Sequence, residues 1–158
     1  MDIHPLCQAL ASCLIERKWF IATAESCTGG MIAARCTDLA GSSAWFERGF
    51  VTYSNAAKQE LLGVDPALIQ AHGAVSEAVA KAMVLGAFNH AKVQASVAVT
   101  GVAGPSGGSA DKPVGTVWLA WCINGAVDAQ KMVFAGDRAA VREATTAHAL
   151  QGLLTRIA

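Results

Sequence analysis

Apolar residues recur at Ile3, Leu6, Cys7, Leu10, Leu14 and Ile15, the spacing of one helix face, and predict a first helix ending near Lys18. Trp19–Ala24 then reads as a short buried strand, Glu25–Gly30 as a turn, and Met31–Leu39 as a helix that Gly41-Ser42-Ser43 breaks. Arg48–Tyr53 has strand composition. Asn55 can cap a short helix carrying Lys58 in its first turn. Asp65-Pro66 pairs a cap with a proline at the first helical position, and Gly73 stops that helix. Ser76 caps a longer helix running to about His90. Ser96–Thr100 reads as a buried strand that enters a glycine-rich loop, Gly101–Gly108, continuing to about Pro113. Val114–Ile123 and Ala126–Phe134 flank Asn124-Gly125, a strong hairpin signal, and Asp137 caps a final helix.

This alternation predicts an α/β fold: a three-layer α/β/α sandwich with a mixed sheet, the hairpin supplying an antiparallel pair. A length of 158 residues without internal repeat or linker suits one domain over 1–158. Composition narrows the function classes. The apolar fraction is 53%, yet no run nears the ~20 apolar residues a membrane span needs. The opening Met1-Asp2-Ile3-His4-Pro5 is unlike a secretory signal. Net charge is zero with basic residues scattered, so no nucleic-acid surface is expected, and any anionic ligand must be small. The five cysteines are odd in number and form no C-x-x-C pair, so neither disulfides nor zinc is expected. Four of them sit among apolar neighbours and read as core thiols, a use that fits a reducing cytoplasm. His4, His72, His90 and His148 are dispersed, and no metal site is expected.

Four segments can carry chemistry. Ser26 lies on a turn between strand and helix, where unpaired N–H groups and the positive end of a helix can stabilise an oxyanion. Ser26 or Thr28 can equally be a plain helix N-cap. Lys58 follows Tyr53, the only tyrosine, and sits early in a helix, where the dipole disfavours a cation. It is either a solvated surface lysine or a buried amine of lowered pKa able to take a serine proton. The Thr100–Gly108 loop is either an anion-binding nest or an ordinary connection. Arg138 and Arg142 share a helix face and can clamp a phosphate or carboxylate, or pair with Asp137 or Glu143.

Taken together, Thr23–Gly30, Tyr53–Lys58, Gly73–Ser76, Thr100–Pro105 and Gly136-Asp137-Arg138 with Arg142 resemble the CinA C-terminal domain family, and the likeness runs from about Leu6 to Leu154. The resemblance implies that fold, and hydrolysis of nicotinamide mononucleotide to nicotinate mononucleotide and ammonia in pyridine nucleotide salvage. It implies Ser26 as nucleophile, Lys58 as general base and Tyr53 as support. It further implies substrate contacts from the Cys27, Thr28, Gly29 and Gly30 turn, from Thr100, Gly101 and Gly104, and from Arg142. No metal or cofactor is implied. The family also occurs behind a larger domain, and this chain resembles its stand-alone form. A homodimer is expected, with Trp118 and Trp121 facing either a partner subunit or the core. Rival readings are a non-catalytic partner domain, a Cys27 thiol hydrolase with His72 as base, and a nucleotide-binding module without chemistry.

Overall fold

The computed structural model describes residues 2–158. Its elements are α1 (Ile3–Arg17), β1 (Ile21–Glu25), α2 (Met31–Thr37), a 3-10 turn at Ser42–Ala44, β2 (Phe46–Val51), α3 (Asn55–Leu62), α4 (Pro66–His72), α5 (Glu77–Ala91), β3 (Ala95–Gly101), β4 (Thr116–Ile123), β5 (Ala126–Val133) and α6 (Arg138–Ile157). One five-stranded sheet has the order β2-β1-β3-β4-β5. β1 runs parallel to β2 and to β3, while β3–β4 and β4–β5 are antiparallel. α1, α2 and α6 cover one face, and α5 with α3 and α4 covers the other. The expected three-layer α/β/α sandwich with a mixed sheet is therefore observed.

Alternation along the strands sorts side chains between the faces. Ile21, Val97, Val99, Val117, Leu119 and Trp121 pack toward α1 and α6. Ala24, Ala98, Ala120 and Cys122 meet α5, and their small size lets that helix lie close to the sheet. Trp121 is fully buried and donates its indole N–H to Ala149 O, and half-buried Trp118 packs on the α5 side. Trp121 belongs to the core and cannot face a partner, while Trp118 is packed against the core with part of its side chain exposed.

The expected caps Asp65, Ser76 and Asp137 accept from the amides of Ala67, Val79 and Ala140. Asn55 does not cap α3. Ser54 does, accepting from Ala57 N–H, and Asn55 is the first helical residue. Strand limits also move. β1 begins at Ile21 because the Trp19 amide still closes α1, donating to Leu14 O. β2 ends at Val51, two residues before the expected Tyr53, where the chain leaves the sheet toward the Ser54 cap. β4 begins at Thr116 because Gly115, at φ 96°, sits where a Cβ would lie 2.1 Å from Phe134 O. α2 ends at Thr37 in a tightened turn, with Leu39 N–H donating to Cys36 O.

Candidate active site

The carboxyl ends of the three parallel strands converge. Ser26 N–H donates to Val99 O of β3, and Thr52 N–H donates to Glu25 O of β1. The chain leaves β1 for β2 on one side, then crosses to β3 on the other. Such a switch point opens a crevice beyond the strand ends. Ser26, Lys58 and Thr100 reach it from β1, α3 and β3. The cleft holds about 250 Å³ and is also lined by Cys27, Tyr53, Asn55, Ala74, Val75, Gly101, Ala103 and Arg138.

Lys58 is only 1% exposed, which disposes of the surface-lysine alternative. Its Nζ lies 3.1 Å from Ser26 Oγ, 3.0 Å from Thr52 O and 3.2 Å from Tyr53 O. Burial pulls the amine's pKa below the ordinary lysine value, while nearby Cys27 acts the other way. Tyr53 offers Lys58 its carbonyl, and its side chain is 64% exposed at the rim.

The turn after Ser26 is gripped from two sides. Arg142 Nε donates to Cys27 O and its Nη2 to Thr28 O, both at 3.1 Å. On the other side, the Glu25 carboxylate accepts from the Thr28 hydroxyl and from the amides of Gly30, Ile32 and Ala33. Neither Ser26 nor Thr28 caps α2. Its N-cap is Gly30, which makes no side-chain cap bond, and Glu25 serves in its place. The first amides of α2 are therefore not the spare donors expected of them. Gly29 N–H is also taken, by Ser26 O. Among the described residues, the N–H groups of Cys27 and Thr28 donate to no other residue.

Sequence reasoning missed Glu25. Its signal was a charged residue ending a buried strand just before a glycine turn. Arg138 and Arg142 pair with neither Asp137 nor Glu143: Arg138 donates to Gly104 O, and Glu143 meets Arg35 instead. Thr100 donates to Ala74 O, fixing the α4–α5 connection against the cleft. Cys27, Thr100 and Gly101 line the cleft, whereas Thr28, Gly29, Gly30 and Gly104 are not among its lining residues. Arg142 instead borders an adjoining hollow of about 640 Å³ with Pro105, Val114 and Gly136, which shares Ala103 and Arg138 with the cleft. The loop is tied down: Val102 pairs with β4, and Lys112 Nζ donates to His72 O.

Cys27 does not fit a thiol nucleophile. Burial pushes its pKa up to about 12, and His72 is exposed and does not line the cleft. Among the described residues no group of three or more His, Cys, Asp or Glu side chains is placed to hold a metal. Among the described residues no helix is long and apolar enough to cross a membrane.

Fold and site define an α/β protein with a serine hydroxyl and a buried lysine amine in contact at the switch point of its sheet. The chain belongs to the CinA family: the model of the CinA C-terminal domain matches residues 3–157. It is 51% identical over 153 residues to a nicotinamide-nucleotide amidohydrolase of Enterobacter agglomerans, covering 96% of this chain and 93% of the relative. A protein of the same description from Pseudomonas putida is 56% identical over 134 residues, 85% of this chain and 84% of its own. A crystal structure of a competence-damaged protein (CinA) superfamily member from Klebsiella pneumoniae superposes with a TM-score of 0.96 at 38% identity, covering 99% of this chain and 98% of the other.

Proposed function

We propose that this chain is an amidohydrolase that converts nicotinamide mononucleotide to nicotinate mononucleotide and ammonia, with Ser26 as nucleophile and Lys58 as general base. The observation that carries the chemistry is the 3.1 Å approach of Lys58 Nζ to Ser26 Oγ inside a buried site. The substrate comes from the relatives' activity. A neutral amine has two hydrogens and one lone pair. Thr52 O and Tyr53 O accept the two hydrogens, and the lone pair is left for the Ser26 hydroxyl.

The steps follow from that arrangement. Ser26 Oγ attacks the carboxamide carbon while its proton passes to Lys58 Nζ. The Cys27 N–H, the free amide of the turn that lines the cleft, stabilises the oxyanion. The carbon–nitrogen bond then breaks, and Lys58 returns the proton so that ammonia leaves. Water attacks the resulting ester, gives a proton to Lys58, and Ser26 Oγ departs and recovers it. The small cleft takes the pyridine ring, with Thr100, Gly101 and the exposed Tyr53 ring at its edge. The ribose phosphate extends into the larger hollow, toward Arg138 and Arg142, with Gly104 holding Arg138. Binding energy from that end positions the amide.

The same reading places the enzyme in the cytoplasm, in keeping with five free thiols. A homodimer is proposed beside it. The deciding experiment is ammonia release from nicotinamide mononucleotide by the purified chain. Ser26→Ala is expected to abolish it, and Lys58→Met to lower kcat by roughly 10²–10⁴-fold, with circular dichroism unchanged in both. No release by the wild-type chain, or full activity in Ser26→Ala, sinks the proposal.

A further inference from the structure

Glu25 ends β1 one residue before Ser26 and is fully buried. Its Oε1 accepts from the Thr28 hydroxyl at 2.5 Å, Gly30 N–H at 3.3 Å and Ile32 N–H at 2.9 Å, and its Oε2 accepts from Ala33 N–H at 3.1 Å. Among the described residues it forms no ion pair. A buried carboxylate without a cation is costly and persists only where donors replace its water. Here the donors are the first amides of α2 and one hydroxyl.

A local cap is the cheaper way to begin a helix: serine or aspartate at the N-cap satisfies an amide from within the same turn. α2 begins instead on Gly30, at φ 110°. Its capping group reaches in from the end of the preceding strand, across the segment that carries Ser26. The result is a closed bracket. Strand end and helix start are tied to each other, and the Thr28 hydroxyl is tied to the same carboxylate. The backbone from Ser26 to Gly29 has little freedom left, and Arg142 holds its outward carbonyls.

We propose that Glu25 is a positioning residue for the reaction. Its carboxylate sets the turn so that Ser26 Oγ meets Lys58 Nζ and the Cys27 amide meets the developing oxyanion. Glu25 does not line the cleft, so it acts through the turn and not on substrate. The inference rests on the roles proposed above for Ser26 and Lys58.

Glu25→Gln keeps size and shape but replaces one acceptor oxygen with an NH2 group, which opposes the helix amides or the Thr28 hydroxyl. Steady-state ammonia release is expected to show kcat down roughly 10²-fold, as for a nucleophile displaced by about an ångström, with KM within about threefold of wild type. Thr28→Val removes one arm of the bracket at constant shape and is expected to lower kcat less, again at unchanged KM. Thr28→Ser, which keeps the hydroxyl, is expected to restore most of that loss. A cap that only stabilises the fold would lower the melting temperature and leave kcat of the folded fraction intact, and that result overturns the proposal. If Glu25→Gln does not fold, the Thr28 pair decides: full kcat in Thr28→Val, or no recovery in Thr28→Ser, overturns it. An inactive wild-type chain, or an active Ser26→Ala, strikes the proposed function instead, whereas Ser26-dependent turnover with full kcat in Glu25→Gln strikes only this inference.

Discussion

At Lys58 the chemistry turns on how many hydrogens the ε-nitrogen carries. With three, every position around it is a donor, and Ser26 Oγ can only accept. With two, the amine can fill the proposed role of base. Burial lowers the pKa, so the neutral form is populated at lower pH than for a solvated lysine. Activity is therefore expected to rise as pH increases through the lowered value and to level off below the ordinary lysine range, in a profile of kcat/KM against pH. Lys58→Arg is expected to stay inactive across that range, because a guanidinium keeps its proton. A flat profile from about pH 6 to 9 would remove Lys58 as the base. Ser26 and Lys58 were legible in the sequence because their motifs are local and come in a fixed order. Glu25 was not, since two of its four partners are amides seven and eight residues further on, which only the folded helix presents. Arg142 was legible as a cation on the right face, but not as the donor to Cys27 O and Thr28 O, which lie far away along the chain.

Among the elements, α3 matters most to the site because it carries Lys58, and its seat is set by a glycine on another helix. Gly86 lies inside α5, where glycine is intrinsically unfavourable. A Cβ there would lie 2.1 Å from Leu62 O, at the last residue of α3. The missing side chain is what lets the two helices touch. Gly86→Ala is expected to push α3 outward, destabilising the protein by about 1–3 kcal/mol and lowering kcat because Lys58 moves with the helix. A thermal melt and the ammonia assay check both effects, and a variant matching wild type in each would refute this account of the contact. Helix starts were readable at Asp65, Ser76 and Asp137 because a cap bonds its own first turn. Strand ends were less so. Tyr53 has strand chemistry, but the Ser54 cap and the demand of Lys58 for two carbonyls draw it out of the sheet.

The layered class of the whole molecule followed from the alternation of helix and strand signals, but the strand order did not. Nothing local in residues 52–94 states that β3 returns to the far side of β1, and that crossover is what gathers Ser26, Lys58 and Thr100 in one place. Assembly is a property of this scale too. Sedimentation velocity is expected to give a dimer, and a monomer at every concentration would remove the homodimer proposal. The sheet itself carries a further consequence. β1 is braced by strands on both sides, but β2 has β1 as its only neighbour. Ser26, the proposed nucleophile, thus hangs from the anchored strand, and the carbonyls that hold Lys58, its proposed base, follow directly from the outermost one. Fraying at that margin separates proton acceptor from hydroxyl while the interior stays intact, so mild heat or dilute denaturant should silence turnover well before the protein unfolds.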